Sequence, residues 1–186
     1  PDGGWRYYPG SPVLIARALS AGDDYVGFEL REDVAGLLRD ALSGYPAARG
    51  EIGDGYDLVA AEARQVGGAL VLIDPPFERP DDYVRAAATA GAIVRADPGA
   101  IVAVWTPLKD LETFDGFLRR LAIATSAPTL VAEARLRPLT DPMKMNGCAM
   151  VVVNPPPGAD AAASSICDWV ATTLGEAGAL AEVWRA

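Results

Sequence analysis

The chain has 186 residues, 51% hydrophobic and 22% charged, and no apolar run approaches the ~18 residues needed to span a bilayer. Sixteen basic against 25 acidic side chains leave a formal charge of −9, which argues against broad, nonspecific phosphate binding. With no histidine and only two cysteines, histidine-based triads are excluded, no zinc site is expected, and a reduced, cytoplasmic protein is the default reading.

The opening PDGGWRYYPG lacks a basic stretch followed by an apolar one and does not read as a signal sequence. Ser11 is the expected N-cap of a short helix through Leu19, with Pro12 suited to its first turn. Tyr25 to Leu30 reads as a strand. Val34, Leu37, Leu38, Ala41, Leu42 and Tyr45 then recur at helical spacing. A brief strand at 51–55 and a helix over 56–65 follow. The run ALVLI at 69–73 is apolar at every position, as a buried parallel strand requires.

A helix over 81–94 buries Tyr83, Ala87, Ala90 and Val94. The strand at 100–105 stops before Pro107, and Leu111, Phe114, Phe117, Leu118 and Leu121 mark the next helix. Strands at 129–136 and 149–153 follow one another with no helix between, which predicts an antiparallel pair joined by the loop around 138–147. A last helix carries Ile166, Val170 and Leu174. The result is a doubly wound α/β sheet, parallel at first and finishing in a C-terminal antiparallel hairpin. The whole chain is expected to form one domain.

Ligands of such sheets bind beyond the carboxyl ends of the strands, which selects Glu29, Asp54-Gly55, Asp74-Pro75-Pro76-Phe77 and Trp105-Thr106-Pro107. Two prolines after Asp74 fix a rigid turn and remove two donors, leaving carbonyl acceptors. The Asp74 carboxylate and the Pro75 carbonyl together suit an exocyclic amine, and Phe77 offers a ring on which a base can stack. Against this stands the plain reading of Asp74 as a cap. Glu29 suits a ribose diol or is one surface acid among several; Asp54-Gly55 suits an adenine amine or is a turn. Asn154-Pro155-Pro156-Pro157 has a similar shape but no aromatic ring, and reads as a strand stop. Trp105 reads as core. Met143 and Met145 sit in a loop that either touches substrate or does not. Arg119, Arg120, Arg135, Arg137 and Lys144 form a local basic patch or ordinary solvated charge.

In this order, YYPGSPVLIARAL, VGFELREDV, GDGYDLV, ALVLIDPPFE, AIVAVWTPL and NGCAMVVVNPP resemble the RlmJ family, over nearly the whole chain. DPPF alone is shared by many amino-methyltransferases; the combination with YPGSP and the late NPP is far more specific. The resemblance implies a class I S-adenosylmethionine-dependent methyltransferase sheet (Rossmann-like) and N6-methylation of an adenine in 23S ribosomal RNA, protein-free or in early assembly, with no metal and no membrane. It implies that Asp74 and Pro75 hold the target amine, that Pro76 belongs to the same catalytic turn, and that Phe77, commonly a tyrosine in the family, stacks on the base. Glu29 would bind the cofactor ribose and Asp54 with Gly55 its adenine, while Ser11 would lie near it. The family's histidine-rich opening and its first strand with a glycine-containing loop have no counterpart in these residues. The chain therefore resembles the C-terminal two-thirds of such an enzyme, and alone is expected to bind the cofactor poorly and to be inactive. A catalytically silent nucleic-acid-binding or scaffold protein, or a role in using external DNA, are the competing readings; the DNA role finds no nuclease chemistry here.

Overall fold

The computed structural model describes residues 9–79, 81–140 and 143–186; the opening octapeptide, including the tyrosines of YYPGSP, lies outside them. The chain divides into two compact units, Pro1–Leu58 and Val59–Ala186.

In the first unit, α1 (Ser11–Ala18) precedes β1 (Tyr25–Glu29), α2 (Glu32–Leu42) and β2 (Ala48–Ile52). The two strands are parallel, paired from Tyr25 with Ala48 to Glu29 with Ile52. Helix α2 presses so closely on β2 that a Cβ on Gly50 would meet Leu38 Cγ at 2.7 Å. Contrary to expectation, Ser11 is not the cap of α1: Gly10 is, in extended conformation, and Ser11 is the first helical residue. A proline in the first turn needs no partner for its missing N–H, so the helix starts one residue early without a side-chain cap. Strand β2 also begins three residues before the predicted segment, concealed by the polar Arg49 and Glu51.

Helix α3 (Gly55–Val66) leads to β3 (Leu70–Ile73), α4 (Asp82–Ala96), β4 (Ile101–Leu108), α5 (Leu111–Ala124), β5 (Thr129–Arg135), β6 (Gly147–Val153), α6 (Ala159–Leu174) and β7 (Leu180–Arg185). Five strands form one sheet in the order β3-β4-β6-β5-β7. β3 and β4 are parallel, and β5 and β6 are the expected antiparallel hairpin, β6 also pairing antiparallel with β4. β7, unforeseen, adds an antiparallel edge beside β5. Among the described residues β3 pairs with β4 alone, and its side chains alternate: Val71 and Ile73 are buried while Leu70 is 75% exposed.

β4 runs through Pro107 instead of stopping before it. Beyond the level of Ile73, β3 has ended, so β4 is locally an edge strand and the missing N–H breaks no ladder bond on that side. Helices α4 and α5 pack on each other and on β4, and α6 packs on β5 and β7. The α4–α5 crossing is so tight that a Cβ on Gly91 would lie 2.6 Å from the Ala124 carbonyl oxygen. Phe114, Phe117 and Ile93 fill this core, all at most 2% exposed. On α6 the predicted stripe is rotated: Ile166 and Leu174 are exposed, and the buried face is Ala163, Cys167, Val170 and Ala171. Small side chains win that face because they let the helix approach Ala132 and Ala134 closely.

Glu133 is 2% exposed in β5, bonded to Arg135 at 2.6–2.7 Å, with Glu182 of β7 3.4 Å from the same guanidinium. Burial raises its carboxyl pKa, an effect partly offset by the Arg135 hydrogen bond. An acid whose pKa is raised on folding contributes stability in acid that is lost as the pH climbs through the folded-state value. Glu133→Gln is therefore expected to flatten the fall in stability as the pH rises above the ordinary glutamate range, as read from urea midpoints.

Candidate active site

Asp74 follows directly on β3, level with Trp105 in β4, at the carboxyl end of both parallel strands. Partial burial raises its carboxyl pKa, so a proton is held there more readily than on an ordinary aspartate. Pro75 and Pro76 then stiffen the turn. Phe77 closes it in the left-handed region, at φ 50°, a conformation rare for an aromatic residue and characteristic of constrained functional turns. The Asp82 carboxylate, 2% exposed, accepts from the Arg79 N–H at 2.9 Å and ties the turn to the start of α4.

The left-handed backbone sends the Phe77 ring inward. It is 5% exposed, 4.6 Å from the Tyr83 ring and 6.4 Å from Trp105 (centroid to centroid), whereas a ring open to a base was expected. Tyr83 in turn lies 6.1 Å from Phe117 and donates a hydrogen bond to the Pro107 carbonyl at 3.4 Å. The sequence pattern predicts Tyr83 as core alone; its place in the first turn of a helix starting at the carboxyl end of β3 is the signal for its position beside the Asp74 turn. Trp105, expected in the core, is half-buried, its ring 6.4 Å from that of Phe77 (centroid to centroid).

In the first unit, Glu29 and Asp54 come together at the carboxyl ends of β1 and β2, where the Gly53 N–H donates to the Glu29 carbonyl at 3.0 Å. Glu29 Oε1 accepts from the Arg31 N–H at 3.0 Å, which fixes the carboxylate at the strand end. Asp54 Oδ1 accepts from the Tyr56 N–H at 3.1 Å, opening α3. Gly55 has no positive φ, and a Cβ there would make only ordinary contact, 3.4 Å from Phe28 Cβ. Local packing therefore does not demand glycine at 55. Ser11 opens α1 in the same unit, whose far end bonds through Arg17 to the Tyr45 hydroxyl. A shallow cavity of about 320 Å³ between the end of α2 and the start of β2, lined by Arg39, Tyr45 and Arg49 among others, lies at the opposite ends of these strands from Glu29.

The look-alike at Asn154 is structural. Its amide donates to the carbonyls of Pro98 and Ala100 at 3.1 and 2.9 Å, and its backbone also adopts positive φ. Because β6 runs antiparallel to β4, Asn154 lies at the opposite end of the sheet from Asp74. Asn154→Ala is expected to cost about 1–3 kcal/mol of stability in urea melts while leaving any turnover at Asp74 intact. Of the five cations considered for a basic patch, Arg135 and Arg137 are paired with carboxylates and Arg120 bonds the Gly116 carbonyl. Among the described residues no cluster could hold a metal ion, and no helix is long and apolar enough to cross a membrane.

A family profile described as ribosomal RNA large subunit methyltransferase D, RlmJ, matches residues 1–186. A ribosomal RNA large subunit methyltransferase J from Escherichia coli (strain K12) is 28% identical over 178 residues, covering 95% of this chain and 64% of that protein. Its namesake from Haemophilus influenzae is 28% identical over 170 residues, covering 91% of this chain and 60% of its own. The chain thus spans less than two thirds of the length of these relatives. A crystal structure of a Legionella pneumophila protein superimposes with a TM-score of 0.81 at 20% identity, covering 95% of this chain and 66% of that one. At that identity the likeness speaks for the fold alone.

Proposed function

The chain belongs to the RlmJ family of ribosomal RNA large subunit methyltransferases, and on that premise we propose that its full-length protein methylates N6 of an adenine in 23S ribosomal RNA. Its fold is that of the class I methyltransferases. The observation that carries the reading is Asp74: a partly desolvated carboxylate at the end of a parallel strand, on a turn made rigid by two prolines.

S-adenosylmethionine would supply an electrophilic methyl group on a sulfonium sulfur. The residues of the first unit fit its nucleoside. Glu29, held at the strand end by the Arg31 N–H, suits the two ribose hydroxyls. Asp54 would accept from the adenine amine, and Gly55 is assigned beside it on family resemblance. Ser11 is assigned to the same site on family resemblance.

Asp74 and the Pro75 carbonyl accept the two hydrogens of the target N6 amine. That leaves the nitrogen lone pair free for attack. Bound S-adenosylmethionine would give up that methyl group with its sulfur keeping the bonding electron pair, and the proton made surplus on the amine nitrogen would pass to Asp74 or to water. The raised carboxyl pKa makes Asp74 the better acceptor for that proton. Phe77, packed against Tyr83, would hold the shape of the amine-binding turn from beneath. The RNA would be protein-free or at an early assembly stage, and no metal takes part.

The test is transfer of labelled methyl from S-adenosylmethionine to protein-free 23S ribosomal RNA by the full-length protein. Recovery of the label as N6-methyladenosine supports the assignment; label at another base, or none, overturns it. These 186 residues alone are proposed to bind the cofactor weakly, which titration calorimetry on this chain measures.

A further inference from the structure

The chain contains only two lysines, Lys109 and Lys144, and both lie at the catalytic end of the five-stranded sheet. Lys109 follows β4 and Lys144 precedes β6, strands that are hydrogen-bonded neighbours with Leu108 paired to Gly147. Asn146, fully buried, clamps the two segments together: its side-chain amide donates to the Lys109 carbonyl at 3.0 Å and its backbone N–H to the Leu108 carbonyl at 3.0 Å. The Asn146 carbonyl also accepts from the Leu136 N–H at 2.8 Å, so the ends of β5 and β4 and the start of β6 share one knot.

Both lysines are exposed, and so are their neighbours Met143 (90%) and Met145 (54%). Asp110, next to Lys109, is engaged elsewhere: its carboxylate caps α5 through the Thr113 N–H and hydroxyl, at 2.7 and 2.9 Å. Asp74 is level with Trp105, and Lys109 lies four residues further along β4. At ~3.3 Å per residue the lysine is about 13 Å beyond the catalytic carboxylate. That separation exceeds one extruded base and matches the path of the nucleotides on either side of it.

We infer that Lys109 and Lys144, with Met143 and Met145, form the RNA-docking edge of the site, the ammonium groups meeting backbone phosphates of nucleotides flanking the target adenine. The inference rests on the RNA-methyltransferase reading and adds the surface that delivers the substrate. Charge decides the occupant. In a chain of net charge −9, this edge gathers both lysines around a rigid knot, and a flexible ammonium is a point-charge partner for phosphate. The exposed methionines supply adaptable apolar contact to sugar and base faces.

The test compares the full-length protein with its Lys109→Ala/Lys144→Ala variant, in which both changes are at exposed positions. Binding to protein-free 23S ribosomal RNA is measured against salt concentration, and methyl transfer is followed under steady state. The variant is expected to raise KM for RNA several-fold with kcat within twofold. The slope of log binding constant against log salt is expected to shrink by about 1–2, roughly one per lost phosphate contact. An unchanged KM and slope, or a loss confined to kcat, overturns the docking edge while leaving the methyltransferase reading intact. Absence of both binding and transfer in the unaltered protein overturns that reading and this inference with it.

Discussion

Asp74→Ala in the full-length protein is expected to lower kcat for RNA methylation by about a thousandfold, with little change in KM for RNA or in folding stability. The size follows from what is removed. Positioned proton acceptance is worth about 10²–10⁴ in rate, and in the proposed mechanism the same carboxylate also orients the amine lone pair. Stability is spared because the carboxylate lies at the open end of β3 and satisfies no buried donor. Asp74→Asn keeps an acceptor oxygen and loses the proton acceptor, so it falls between the two. The pH dependence has a defined sign. Burial raises the Asp74 pKa, so the acid limb of the kcat profile is expected to inflect above the ordinary aspartate value of about 3.9. The same shift makes Asp74 a contributor to stability in acid that is lost as pH rises through its folded-state pKa, and Asp74→Asn removes that slope too. Full activity of Asp74→Ala would refute the assignment of this turn.

What sequence could reveal divides along local and non-local lines. The strand at 69–73, the helix at 81–94 and the hairpin at 129–153 were legible because each carries its own period or turn, and strand-end logic then isolated Asp74 without a structure. Asn154 was also separable, since the three prolines after it offer no aromatic ring, and the antiparallel course of β6 places it away from Asp74. β7 was not legible: LAEVWR is short, broken by a charged residue at its middle and another at its end, and preceded by a glycine-containing turn, and only the open edge of β5 makes it a strand. The buried face of α6 was missed for a related reason. An alanine-rich helix has no single apolar stripe, so the sheet's small Ala132 and Ala134 select the face that fits. The direction of the Phe77 ring depends on one dihedral angle, which a motif does not encode.

That dihedral yields the second large effect. Phe77→Ala is expected to destabilise the unit 59–186 by about 3–5 kcal/mol, the usual range for emptying a buried phenylalanine site, and to lower methyl transfer as well. A ring serving only to stack on substrate would be exposed, and its loss would leave urea unfolding unchanged. The structure instead places it between Tyr83 and Trp105, so the aromatic group under the catalytic turn collapses without it. Phe77→Gly provides the internal control. Alanine at φ 50° retains the clash of its Cβ in the left-handed region, worth about 1–2 kcal/mol, and glycine does not. After glycine's greater entropy in the unfolded chain is subtracted, the glycine variant is expected to remain more stable than the alanine variant by about 1 kcal/mol. Both variants lose the ring, so a stability order of glycine above alanine isolates the backbone strain from the packing. The reverse order in urea melts would mean that the turn relaxes out of the left-handed region once the ring is gone. The strain would then belong to the ring's packing, and the two prolines alone would not account for the shape of the amine-holding turn.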